Sequence, residues 1–418
     1  MALVRNQITV FEHQLLKLGD QYENGCFDAP KLEALQVFHG RSGTPFYSLV
    51  HNGVRFCEYV GVLQVGALTI EVLPKADNGN DKRFWRSMLI DMLRAVGAFS
   101  ILAPSESSLK VKRNSILDFY IELFVEELEK IVHQGLVKKY RRTEGNCKVL
   151  KGTIKFSQHI RLNTTHKERF FVSHTVYNIV HRHNQILYKC LNLVHQINPN
   201  ITLESRISQL LLNFPEQGDI KISDSLFDKL KFDRKTERYK NAISISRLLL
   251  LNYHPDLLSG RNKVLAIMFD MNLLWEAFVY MSLKKHEEKG VLVRPQQSRA
   301  FWKPARGYKT TIRPDISIVN GSTSIVIDTK WKNLGVKNPS PDDLRQMFVY
   351  LEYFNAAKTA LVYPGTTEVR QGRYFKHTGE LGNKECSILS LAVKTDIRKW
   401  QLSIYDECAS WWRQDNAF

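Results

Sequence analysis

The chain has 418 residues, too many for one ordinary core, so two or three domains are expected. Hydrophobic residues make up 44%, which excludes wholesale disorder. The 59 Lys and Arg against 42 Asp and Glu give a net charge of +17, which favours a polyanionic partner, nucleic acid first, over a basic protein that is merely soluble.

The part up to Lys75 reads as β. Residues 46–50 and 54–60 flank a turn at Asn52-Gly53, a strong hairpin signal. Short apolar runs at 62–65 and 68–73, punctuated by Gly61 and Gly66, predict a small twisted sheet or partly closed barrel. From Asp81 the period becomes helical: Phe84, Trp85, Met88, Leu89, Met92, Leu93 and Val96 recur on one face. A second helix is expected over 116–139, acidic at its start and basic at its end, as the helix dipole favours. Further helices are expected over 178–196, 203–214 and 239–251, with basic, aromatic-bearing loops between them.

The last part begins near Arg261. A long helix is expected over 264–289. Strands follow at 291–294, 310–319 and 324–329, then a helix over 342–357 opened by Pro341. A strand at 359–363 ends at Pro364, and another at 387–393 precedes a helix from about Asp396. The expected architecture is a multidomain α+β protein. Residues 1–80 form a β-rich domain, 81–260 a helical middle, and 261–418 an α/β domain with a mixed sheet.

Arg313-Pro314-Asp315 opens one of these strands, and Asp328-Thr329-Lys330 closes the next after a turn at Asn320-Gly321. Residues two apart on a strand share a face, so Asp328 and Lys330 project together, with Asp315 one strand away. Two carboxylates and an ammonium suit a divalent cation and the charge on a phosphodiester. Asp315 and Asp328 are the expected metal ligands, the Thr329 carbonyl a further one, and Lys330 the group for the water or the scissile phosphate. The plainer alternative is a surface ion pair between Asp328 and Lys330. Gln346 and Tyr350 share one helix face. They either line the same site or form a polar face with a packed tyrosine. Glu276, flanked by apolar residues, is either a partly buried carboxylate near the metal or a solvent-facing one.

The pattern Glu276, Pro314-Asp315, Asp328-x-Lys330 and Gln346-x-x-x-Tyr350 resembles the PD-(D/E)xK nuclease superfamily in its variant with a trailing Q-x-x-x-Y. YVGVLQVG at 59–66, LTIEVLPK at 68–75, LKGTIKF at 150–156, His159-Ile160-Arg161 and Arg182-His183-Asn184 resemble one branch of it, the McrC family. These are the nuclease subunits of McrBC-type modification-dependent restriction systems. The likeness spans about 45–400. It implies a PD-(D/E)xK fold for 261–418 and an Mg²⁺-dependent endodeoxyribonuclease, with Mn²⁺ as a substitute. The catalytic residues it implies are Asp315, Asp328, Lys330, Gln346 and Tyr350. Glu276, Asp315, Asp328 and Thr329 would surround the metal.

As partners the resemblance implies a McrB-like AAA+ GTPase ring, stimulated by a stalk within residues up to about 260, and modified double-stranded DNA. A non-catalytic adaptor that only activates the ring is the rival, and a stand-alone DNA-binding protein a third possibility. No G-x-x-x-x-G-K-[ST] loop is present, so no nucleotide is expected on this chain. Lys and Arg in a loop at 138–148 are candidate ring contacts or a solvated basic segment.

The remaining signals are weaker. Cys26, Cys57, Cys147, Cys190, Cys386 and Cys408 form no C-x-x-C pair, so zinc ribbons, iron–sulfur clusters and disulfide frameworks are unsupported. Scattered thiols fit the reducing cytoplasm. The N-terminus lacks a long apolar signal core, and no run is long enough to span a bilayer. The pair His181 and His183 lacks a third ligand nearby, which favours a structural or phosphate-facing role over metal binding. Trp411-Trp412 either pack a helix or stack on a base. No G-x-S-x-G supports serine hydrolase chemistry.

Overall fold

Gly61 fixes the centre of the first sheet. Its φ is +138°, and a Cβ there would lie 2.1 Å from the Ile267 carbonyl oxygen, so only glycine lets the two strands meet. The computed structural model describes residues 6–22, 25–40, 43–66, 68–76, 81–96, 116–198, 200–255, 263–321, 323–335 and 337–413. They divide into two compact units, Met1–Lys110 with Pro255–Phe418, and Val111–His254, where the sequence suggested three consecutive segments.

In the first unit, Asn6–Phe11 runs parallel to Leu68–Leu73, which pairs antiparallel with Tyr59–Val65, which pairs antiparallel with Lys263–Asp270. The stretch expected to begin a helix at 264 is therefore a strand, and the helix is Met271–Lys285. An apolar run of this length fits either element. Asp270 decides the boundary, because its side chain accepts from the amides of Asn272 and Leu273 and caps the helix. A second small sheet holds Leu15–Lys17, Gly53–Phe56 and Tyr47–Val50, so the hairpin at 46–56 forms, although its turn residues are His51 and Asn52. Neither sheet closes into a barrel among the described residues.

The helix Ala29–His39 was not expected. Its apolar stripe is narrow, with only Leu32 and Leu35 buried, and Asp28 caps it by accepting from Lys31 N at 3.2 Å.

The second sheet of this unit runs in the order Val291–Pro295, Ile316–Asn320, Thr323–Thr329, Lys358–Pro364, Leu381–Leu391, Glu368–Arg370. Its first two pairings are antiparallel, and Thr323–Thr329, Lys358–Pro364 and Leu381–Leu391 are mutually parallel, which gives the mixed sheet expected. The strand expected over 310–319 is broken by Pro314 into Thr310–Ile312 and Ile316–Asn320, since proline removes a ladder donor. Pro341–Tyr353 packs on the face carrying Val326, Leu361, Tyr363 and Ile388. Met271–Lys285 and Ile397–Arg413 pack against each other and the sheet, joined by Lys82–Ala95. Trp411 and Trp412 are buried in this packing, with Trp412 edge-on to Tyr405, so they are not free to stack on a base.

In the second unit Ile116–His133, Arg182–Ile197, Ile201–Asn213 and Lys240–Leu251 form the helical core. The segment is not wholly helical. Thr153–Ile154, Phe170–Asn178 and Lys139–Cys147 form a three-stranded antiparallel sheet. The helix expected to reach 139 stops at His133, and the cations at 139–142 lie on a strand rather than a helix end or loop. Both faces of that strand are largely solvated, so the sequence carries no apolar alternation to betray it. Gly152, from the LKGTIKF segment, has φ +71°, and a Cβ on it would lie 2.3 Å from the Ser173 carbonyl oxygen.

His181 Nε2 lies 2.8 Å from the Val137 carbonyl, and His183 is buried edge-on to Phe232 and Tyr239. Burial, with Lys139 and His181 nearby, pushes the His183 imidazole down to about 4 from its ordinary 6.5. The unfolded chain then binds more protons than the folded one between those values, so the contribution is complete above 6.5 and is lost as the pH falls towards 4. The urea midpoint of the wild type should drop over that window, and His183→Phe should flatten the drop; equal pH slopes in both proteins would refute this. No helix among the described residues is long and apolar enough to cross a membrane.

Candidate active site

The strands Ile316–Asn320 and Thr323–Thr329 form a tight hairpin in which Ile316 stands opposite Ile327. Asp315 lies one residue before this pairing and Asp328 one residue after it, so continuing the register sets the two on the same side. Asp315 accepts from the amide of Thr329, the residue after Asp328, which brings the two carboxylates together at the end of the hairpin. Asp328 is 1% exposed, and Asp315 is half-buried.

Thr329 braces the pair. Its backbone N and its hydroxyl donate to Asp315 Oδ2 at 2.6 and 2.8 Å. Lys330 Nζ lies 2.7 Å from Asp328 Oδ2 and 3.9 Å from Asp343 Oδ1. Asp343 also accepts from Lys332 Nζ at 2.8 Å. On the next helix, Gln346 Nε2 donates to the Tyr350 hydroxyl at 2.8 Å and stands 3.5 Å from Asp328 Oδ1. The Tyr350 hydroxyl donates to the Arg313 carbonyl at 3.1 Å, which fastens the chain just before Pro314-Asp315. Gln346 and Tyr350 thus belong to the cluster, joined by their four-residue helical spacing.

Glu276 approaches from Met271–Lys285, half-buried, and its Oε1 accepts from Gln296 Nε2 at 2.8 Å. Gln296 has a left-handed backbone, φ +45°, and its N donates to the Asp315 carbonyl at 2.8 Å. One residue therefore ties Glu276 to Asp315 at the head of the Ile316–Asn320 strand.

The electrostatics follow from crowding. Burial, reinforced by the charge of Asp315, pushes the Asp328 carboxyl up to about 7. Burial and Asp315 also raise the Glu276 carboxyl. Burial opposes the Lys330 ammonium, but Asp328 and Asp343 outweigh it and hold its proton more tightly than usual. Asp315, Asp328 and Glu276 thus crowd around the half-buried Lys330, an excess of negative charge that a divalent cation would relieve.

The donors are hard oxygens, which suits Mg²⁺, an ion that keeps several waters and takes one or two carboxylates. Among the described residues no three His, Cys, Asp or Glu are gathered as one metal cage. The donor set that fits is the pair Asp315 and Asp328, with Glu276 turned towards Gln296 at the margin. Gln296 and Asp343 were not singled out in the sequence. Asp343 lies beside Asp342 in the first turn of a helix capped by Ser340, a position usually explained by the dipole alone. Gln296 offers no signal except its place after a strand ending in Pro295.

A protein-family model described as McrBC 5-methylcytosine restriction system component matches residues 54–364, a span that includes every one of these site residues. Among solved structures, this chain is similar to a chain of the refined half-complex from the tetradecameric assembly of Thermococcus gammatolerans McrB AAA+ hexamers with bound McrC. That match has a TM-score of 0.73 at 19% identity and covers 97% of this chain and 99% of that one. It is also similar to a chain of the cryo-EM structure of the Thermococcus gammatolerans McrBC complex, with a TM-score of 0.52 at 19% identity, covering 68% of this chain and 88% of that one. At such identities the likeness concerns the fold. No curated protein matches the chain.

Proposed function

The chain belongs to the McrBC 5-methylcytosine restriction system component family, and from that premise we propose that it is the DNA-cutting subunit, a divalent-metal-dependent endonuclease driven by a McrB-like AAA+ GTPase ring. The observation that carries this is the grouping of Asp315 and Asp328, tied through Thr329 and accompanied by Lys330, at the end of one hairpin of a mixed sheet.

In this mechanism Asp315 and Asp328 would hold the metal, and the Thr329 carbonyl is a further candidate donor. When bound, the cation supplies Lewis-acid charge at the scissile phosphate. Lys330, kept protonated, orients the attacking water or offsets phosphate charge. Thr329 fixes the direction of Asp315, and Gln346 and Tyr350 hold Asp328 and the strand entry in place. Glu276 and Gln296 set the far wall. The substrate is duplex DNA carrying a modified base, and recognition of that base falls to the partner.

The ring would be met by the second unit, a proposal supported by its exposed apolar side chains Leu150, Phe156 and Ile160 and by the solvent-facing pair Tyr140 and Tyr177. The relative whose structure holds McrB hexamers with bound McrC supports the same assembly. All six thiols are unbonded, in keeping with a cytoplasmic setting.

Calorimetric titration with Mn²⁺ tests the metal site. One saturable site is expected in the wild-type chain and none in Asp315→Ala. An adaptor that only activates the ring would give the same flat trace for both proteins.

A further inference from the structure

Arg299–Trp302 and Thr310–Ile312 form a two-stranded ribbon that belongs to neither large sheet. An isolated ribbon of this size is marginal in water unless something holds it. Its root is held: the Arg299 guanidinium donates to the Tyr353 carbonyl at 2.5 Å and lies 4.8 Å from the centre of the Phe354 ring, while Phe301 packs edge-on to Tyr353 at 5.1 Å. Its tip is not packed. Trp302 is 60% exposed and Tyr308 98% exposed, and Lys303, Arg306 and Lys309 are all exposed.

Composition singles out the same segment. Residues 299–313 contain Arg299, Lys303, Arg306, Lys309 and Arg313 and no acidic residue. Among the described residues no carboxylate lies within ion-pair distance of Lys303, Arg306 or Lys309, which leaves all three free to meet an anion. Two large exposed aromatics on one short tip mark it as a contact surface, and the hydrated cations beside them suit an anionic partner.

The ribbon also opens onto the catalytic cluster. A groove of about 740 Å³ is lined by Phe301 and Thr311 from the ribbon, by Gln346 and Tyr350 from the cluster, and by Gln296 and Arg313 between them. A two-stranded ribbon matches the width of the DNA major groove. Cations on its tip reach phosphates, and exposed aromatics pack on sugars and base edges.

We propose that the 299–312 ribbon is a DNA-gripping arm. It enters the groove of duplex DNA beside the cut, with Lys303, Arg306 and Lys309 on the phosphate backbone and Trp302 and Tyr308 as its apolar contacts. It rests on the nuclease assignment only for where the cut falls; the binding stands apart from cleavage.

Fluorescence anisotropy of a labelled DNA duplex with the full chain, measured across a salt series, tests the arm. The triple variant Lys303→Ala/Arg306→Ala/Lys309→Ala should bind at least about tenfold more weakly, and its salt slope should be shallower by about 2 to 3, the loss of three phosphate contacts. Arg306→Lys should retain binding. Trp302→Ala should weaken binding at an unchanged slope. A triple variant with wild-type affinity and slope, or a wild-type chain that binds no duplex at low salt, overturns the proposal. So does a triple variant that loses only the ring partner, because the arm is then a protein contact. Asp328→Asn separates the two ideas. With the ring partner present it should fail to cut; if it cuts, the active-site assignment fails while the arm stands.

Discussion

On the proposed mechanism, Asp328→Ala should lower DNA cleavage by about three orders of magnitude or more while ring assembly and stimulation of the ring's GTPase stay at wild-type levels. The size of the effect follows from what the carboxylate does. It is the more buried of the two acids, it lies against Lys330, and it is grouped with Asp315 through Thr329. Its removal would take away one of the two proposed metal donors and leave the Lys330 ammonium without its nearest counter-charge. Asp315→Ala should have a similar effect by the other donor, and would also release the amide and hydroxyl of Thr329. Lys330→Ala should abolish cleavage by a different route, because it leaves Asp328 buried without its cation. None of the three should unfold the chain. Burial and repulsion from Asp315 oppose the Asp328 charge while Lys330 supports it, so Asp328→Ala should stay folded with only a modest change in stability. The measurement is cleavage of modified duplex by the chain with its ring partner, alongside the GTPase rate. Wild-type cutting by Asp328→Ala would end the site assignment.

Trp275→Ala should destabilise the first unit by about 3 to 5 kcal/mol, the cost of deleting a fully buried tryptophan from a core that cannot collapse around the void. Trp275 is 0% exposed and touches Trp331, Trp400 and Phe278. Its Nε1 donates to the Val362 carbonyl at 3.3 Å, the same oxygen that receives the Lys330 amide at 2.9 Å. The tryptophan cluster is therefore joined to the backbone of Lys330 through one carbonyl. Its loss should lower the denaturant midpoint seen by far-UV circular dichroism, and cleavage should fall with it as Lys330 loses its backing. A shift of under about 1 kcal/mol would show that the cluster is not the support described here.

The residues of the site were legible from local rules. Asp328 and Lys330 share a face because strands alternate. Gln346 and Tyr350 share one because helices repeat near four. Pro314 marks a break that lets Asp315 head a strand. The turn at Asn320-Gly321 brings the two strands together over a short loop. Each of these signals lies within a few residues of the group it places.

What the sequence determined, then, was composition, local period and turn chemistry, because those act between near neighbours along the chain. Tertiary structure alone decided that Lys263–Asp270 is a strand beside Tyr59–Val65 rather than the start of a helix, and that Lys139–Cys147 belongs to a sheet. It also recruited Gln296 to hold Glu276 and Asp315, and placed Asp343 against Lys330. Such choices are made by hydrogen-bond partners and charges that meet only after folding. An apolar run satisfies a helix or a strand equally well until another strand with open backbone groups lies beside it.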